Sequence, residues 1–144
     1  MRHRNHSKRL ARKPDQARLL LKNMVTSVLL YEHIRTTKKR AQVVKGLVDR
    51  VITIGKRERT DLAIRKINTF VFDTNACRKV LEVFKKRYAN RSSGFSRVVP
   101  VGTRKGDGAL LADVILIDAA EPVPAEAATE KVVAKKVRTK KIPA

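Results

Sequence analysis

Cysteine, tryptophan and acidic residues are all scarce in this chain. Cys77 is its only cysteine, tryptophan is absent, and four Phe and two Tyr supply the whole aromatic share of 4%. One cysteine excludes an intramolecular disulfide and a cysteine-based zinc site, and it fits a reducing compartment. No run of about eighteen apolar residues is present, so nothing in the sequence reads as a membrane-spanning helix. So few aromatics argue against a module that reads single strands by stacking bases on exposed rings. Acids are outnumbered most of all. Thirteen Asp and Glu face thirty-four Lys and Arg, a formal charge of +21 on 144 residues. An excess of that size opposes compaction by self-repulsion and calls for a polyanionic partner, nucleic acid rather than a membrane surface.

The surplus is concentrated first in an N-terminal arm, residues 1–13. Arg2, Arg4, Lys8, Arg9, Arg12 and Lys13 meet no acid before Asp15, and Leu10 is the only sizeable aliphatic side chain beside Met1. Such a stretch is expected to be extended until a polyanion neutralises it. It is arginine-rich like an organellar transit peptide, but the helix expected at Pro14 leaves little room for one. A secretory signal's apolar centre is missing too.

From Pro14 to Asp118 the sequence reads as one foldable body of moderate core. Pro14 suits the first position of a helix and Asp15 complements its dipole. Ala17, Leu20, Leu21, Met24, Val25 and Val28 then form one apolar stripe, with Arg18 and Lys22 on another face. Tyr31 to Thr37 is rich in β-branched residues and predicts a short strand. Thr37 is expected to cap a second helix carrying Ala41, Val44, Leu47, Val48, Val51 and Ile52 inward and ending near Gly55 or Lys56. Lys38, Lys39 and Arg40 occupy its first turn, an unfavourable position for cations unless an anion lies nearby. Thr60 opens a third helix with Ala63, Ile64, Ile67 and Val71 at helical spacing. Asp73 and Thr74 offer caps for a fourth, with Cys77, Val80, Leu81, Phe84 and Tyr88 on its stripe. Cys77 is thereby expected to be a small buried residue. After the breaker 90–94, the runs 97–101 and 110–117 predict a hairpin across the loop 102–108, and Pro100 puts its first strand at a sheet edge. Residues 119–144, rich in Ala, Pro, Glu and Lys, predict a disordered tail.

Catalytic constellations are poor. His3 and His6 sit in the arm with no carboxylate to orient them, so contact with phosphate or base is expected there rather than acid–base or metal chemistry. His33 stands alone and is expected to be structural. The glycine loop 102–108 is no phosphate-binding loop, because Asp107 stands where a lysine is required. Arginine and lysine on an arm, a helix start and a hairpin tip favour recognition of folded RNA by shape and phosphate position. A compacting protein for DNA or RNA would share the charge, and periodicity does not separate the two. A small ribonuclease built on His3 or His6 is the enzymatic alternative.

Met1-Arg2-His3-Arg4, Lys22-Asn23-Met24, Ile34-Arg35-Thr36-Thr37 and Lys39-Arg40-Ala41 closely resemble the bacterial large-subunit ribosomal protein L17 family. So do 51–56 (VITIGK), 88–97 (YANRSSGFSR) and the tip 104–107 (RKGD), in the right order from Met1 to Asp118. The resemblance implies an α+β fold, about four helices on one side of a small three-stranded sheet that pairs the hairpin with the strand near Ile34. It also implies a cytoplasmic, non-catalytic protein, without cofactor, metal or small-molecule substrate, that binds 23S ribosomal RNA near the peptide exit region beside other large-subunit proteins. The residues expected to touch RNA are Arg2, His3, Arg4, Asn5, Lys8, Arg9, Arg12 and Lys13 in the arm. Arg18, Lys22, Arg35, Lys38, Lys39 and Arg40 follow in the first two helices and the strand between them, then Arg91, Arg97, Arg104 and Lys105 at the sheet.

Overall fold

Pro14 does open the first helix, α1, which runs Pro14–Tyr31. The computed structural model describes residue 10 and residues 13–118; the expected extended arm, apart from Leu10 and Lys13, and the expected tail lie outside them. Tyr31 is the last helical residue rather than the first of a strand. Glu32 then takes a left-handed conformation (φ 62°) that ends the helix, its N–H bonding back to the Val28 carbonyl. The strand β1 is therefore shorter than expected, His33–Thr37.

The second helix, α2, spans Lys38–Arg57 and passes straight through Gly55. Thr37 precedes it in extended conformation, but its hydroxyl makes no capping bond, so the expected cap is a positional one only. α3 covers Thr60–Asn68. The fourth helix, α4, opens as Thr74–Lys79, with the Asp73 carboxylate accepting from the Asn75 N–H as a cap should. It widens into a π turn over Val80–Phe84 and closes on Lys85–Arg87. Two strands follow, β2 Ser96–Thr103 and β3 Leu110–Leu116.

The strands form one antiparallel sheet in the order β1-β3-β2. This is an α+β fold with four helices against a three-stranded sheet, and β2 with its Pro100 lies at an edge. β3 pairs Ile34 with Val114 on one side and Val98 with Val114 on the other. Side chains alternate across a strand. Ala112, Val114 and Leu116 therefore point to the helices and are buried, and the intervening residues face away. α2 lies over β2 and β3. Its stripe Ala41, Val44, Val48, Val51 and Ile52 is wholly inaccessible, as are Val25, Val28 and Leu29 of α1 and Ile67 of α3. Val43 and Leu29 join the core although neither belongs to the expected stripes, and Ile64 turns outward (38% exposed). Cys77 is in the core as expected, and burial pushes its thiol up from the ordinary value. Phe84, Tyr88 and Phe95 complete the core beside the hairpin, with ring centroids 6.0 and 5.1 Å apart in sequence.

At Gly55 the helix α2 packs tightly against Val80 of the π turn. A Cβ there would lie 2.6 Å from Val80 Cγ1, well inside van der Waals contact. Helix propensity alone favours alanine over glycine by about 1 kcal/mol, but overpacking costs about 1–3 kcal/mol. Gly55→Ala is thus expected to destabilise the protein by about 1 kcal/mol in urea unfolding. The same substitution in a Val80→Ala background should be neutral or stabilising, since the clashing methyl is gone. Equal costs in both backgrounds would show that the close approach has no energetic role.

Candidate nucleic-acid interface

The register brings the predicted cations to the two ends of the sheet. At one end Thr37 pairs with Leu111 and Thr103 with Leu110, so α2's first turn (Lys38, Lys39, Arg40) and the hairpin tip lie together. Lys38 and Lys39 are exposed and Arg40 is half-buried. The tip is closed by Arg104 N–H to the Ala109 carbonyl (2.9 Å) and Gly108 N–H to the Arg104 carbonyl (3.1 Å). Arg104 and Lys105 do not act there as two equal cations. Arg104 donates from Nε to Asp107 Oδ1 at 2.9 Å and from Nη2 to Oδ2, and this partner holds the Asp107 carboxyl at about 2. Lys105 remains exposed, with no ion-pair partner among the described residues.

At the other end, His33 and Arg97 both register with Ile115, and the loop before β2 carries Arg91. This loop is held from α2 at two points. The Asp49 carboxylate accepts from Phe95 N–H (3.1 Å), Ser96 N–H (3.1 Å) and Ser96 Oγ (2.8 Å). Lys56 Nζ donates to the Ala89 carbonyl at 3.3 Å and also to that of Arg91, and it sits over the Phe95 ring. Gly94, at φ 70°, supplies the left-handed residue the turn needs. Arg91 and Arg97 are left exposed on a fixed backbone, and Arg91 lines an open hollow of about 510 Å³ together with Arg87, Tyr88, Asn90, Ser92 and Asp118.

Arg18 and Lys22 stand apart from both ends. Arg18 is 3.7 Å from Asp15 with both side chains largely in solvent, a weak pair. Lys22 Nζ lies 5.1 Å from the centroid of the exposed Phe72 ring. Lys13, just before α1, is exposed. Arg2, His3, Arg4, Asn5, Lys8, Arg9 and Arg12 fall outside the described residues.

Arg35 is the residue whose surroundings differ most from expectation. It does not stand ready as a plain cation. It donates from Nε to Asp113 Oδ1 (2.8 Å) and from Nη2 to Asp113 Oδ2 (3.0 Å), across the β1–β3 pair. His33 Nε2 lies 3.1 Å from the same carboxylate. The Arg35 hydrogen bond, opposed by burial and assisted by His33, holds the Asp113 carboxyl below its ordinary value. His33 is thus part of a structural cluster, in keeping with the expectation for it.

Other cations are not singled out by the sequence pattern. Arg57 at the end of α2 and Arg59 just beyond it, and Lys85 and Lys86 at the close of α4, are exposed with no ion pair among the described residues. The runs Gly55-Lys56-Arg57-Glu58-Arg59 and Lys85-Lys86-Arg87 are their only signal, and the interspersed apolar stripe masks it. Chemically, the surface offers fixed positive charge at separated places. Among the described residues no group of acids, His and Cys could hold a metal ion, and no helix is long and apolar enough to cross a membrane.

Comparison with known proteins agrees with this surface. A family model described as Ribosomal protein L17 matches residues 20–117. The large ribosomal subunit protein bL17 of Geotalea daltonii is 36% identical over 140 residues, covering 97% of this chain and 76% of that protein. Its counterpart in Caldanaerobacter subterraneus is 39% identical over 111 residues, covering 76% of this chain and 97% of the relative. That of Myxococcus xanthus is 38% identical over 134 residues, covering 89% and 94%.

Proposed function

The chain belongs to the ribosomal protein L17 family, and on that premise we propose that it is a structural constituent of the large ribosomal subunit that binds and stabilises 23S rRNA. It catalyses no step. Its work is to neutralise and lock together RNA segments near the peptide exit region, in the cytoplasm, with neighbouring ribosomal proteins as further partners. Residues 14–118 form the RNA-binding body, residues 1–13 the arm that follows the RNA backbone, and residues 119–144 an appendage to both.

The reading is carried by one observation. Lys38, Lys39 and Arg40 stand in the first turn of a helix, where cations are disfavoured by the helix dipole, and the Lys105 tip adds to them at the same end of the sheet. A residue choice that works against local stability and repeats across two elements points to an external anion. Arg91 and Arg97 at the far end give a second contact, so one rigid body bridges two phosphate runs. Arginine suits the role because its planar fork spans two phosphate oxygens.

Competition binding tests it. At moderate salt the full chain should prefer fragments of 23S rRNA to bulk DNA, and it should co-sediment with large subunits after a high-salt wash. Equal affinity for unrelated duplexes would replace the reading with that of a general compacting protein.

A further inference from the structure

We propose that the sheet face turned away from the helices is a platform for unpaired RNA, on which a base stacks against the guanidinium of Arg35. The inference rests on the rRNA reading above and names the part of the RNA that this face takes.

The register lays out the face in rows. His33, Ile115 and Arg97 form one, Arg35, Asp113 and Val99 the next, and Thr37, Leu111 and Gly102 the last. Strands about 4.8 Å apart make each row roughly 10 Å wide. No described element covers it. Val99 is 42% exposed and the Arg35 side chain 57%, in the central row of the face on the two strands that flank β3. Gly102, at φ 146° and with nothing within 4 Å of where a Cβ would stand, leaves the corner over Leu111 open.

What distinguishes this face is the state of its arginine. Bonding edge-on to Asp113 through Nε and Nη2 fixes the guanidinium plane and gives its charge a partner within the protein. Phosphate contact is the weaker use of such a group. A planar, weakly hydrated guanidinium held by Asp113 on a face that also carries Val99, Leu111 and Ile115 is suited to a flat aromatic partner, and guanidinium planes serve as stacking partners for unstacked bases. The chain's poverty in aromatics is thus met by an oriented arginine. Charge complementarity selects the class of occupant. Arg97 lies at one end of the face, and Lys105 with the Lys38–Arg40 turn lies beyond the other, so a strand crossing the middle row, where Arg35 and Asp113 pair with each other, finds cations for its phosphates on both sides. A duplex presents phosphates but no free base face, so it gains only from the rim.

The test uses the full chain with a short unpaired oligoribonucleotide carrying a fluorescent adenine analogue whose emission falls on stacking, and the same oligonucleotide annealed as duplex. Binding of the unpaired form is expected to quench the analogue. Arg35→Lys keeps the charge and loses the plane, so it should abolish the quench and weaken unpaired binding about tenfold, with duplex affinity and salt dependence unchanged. Unquenched, equal binding of both forms by the unaltered chain would overturn the platform while leaving the rRNA reading intact. Binding of neither form would overturn both. Independently of any effect of Arg35→Lys on folding, a photo-cross-linker attached through Val99→Cys should label RNA in assembled large subunits. A label on protein would show that a neighbouring protein covers this face, and would overturn the proposal.

Discussion

Glu32→Gln is expected to lower the free energy of unfolding by about 3 kcal/mol, read as a shifted urea midpoint at unchanged slope. Glu32 ends α1 in a left-handed conformation and sends its carboxylate, only 13% exposed, between two cations from α4. Lys79 Nζ is 2.6 Å from Oε1, and Arg87 Nη1 is 2.6 Å from Oε2 with Nη2 3.3 Å from Oε1. Lys79 also donates to the Leu30 carbonyl at 2.8 Å, and both cations lie over the Phe84 ring at 5.4 and 5.3 Å. Neutralising the acid leaves two cations, each about a quarter exposed, facing one another without a counter-charge. The loss of Coulomb attraction therefore exceeds the modest relief of desolvating one carboxylate fewer.

The same cluster sets the acid limb of stability. Burial works against ionisation of Glu32, yet the hydrogen bonds from Arg87 and Lys79 outweigh it, so its folded pKa is lowered. A carboxyl depressed in the folded state contributes fully above its unfolded value of about 4.3, and the contribution is lost as pH falls through the lower folded value. Asp113, lowered chiefly by Arg35, behaves alike. Stability should be flat from neutrality to about pH 5 and fall below that, and the fall should be shallower in Glu32→Gln. An acid limb identical in the two proteins would show that the cluster holds no charge-dependent stability.

The second large effect concerns RNA. Removing residues 2–9 takes away Arg2, Arg4, Lys8 and Arg9 but stops short of Leu10, which is half-buried. If each of the four neutralises one phosphate, the slope of log affinity against log salt should become shallower by roughly 3, and affinity for 23S fragments should fall on the order of a hundredfold at low salt. The thermal midpoint of the free protein should hardly move, because the deleted stretch has nothing to bury. An unchanged salt slope would mean that the arm does not follow the RNA backbone. A collapse of the midpoint would mean that the arm belongs to the folded body.

Local chemistry made much of this legible from the chain alone. Pro14 and Asp73 mark helix starts because a missing N–H and a capping carboxylate act within one turn. The stripes of α2 and α4 follow from the helical repeat, and the edge position of β2 from the missing donor of Pro100. The need for a polyanion follows from +21 charges, whatever their arrangement. Tertiary structure alone decided which of those charges are spoken for. Arg35 meets Asp113 across 78 positions, Arg87 meets Glu32 across 55 and Ser96 meets Asp49 across 47, and no local pattern announces such pairs. They exist because strand register and helix packing carry distant residues to hydrogen-bonding distance, and that turns some of the cations into structure and leaves the others facing outward.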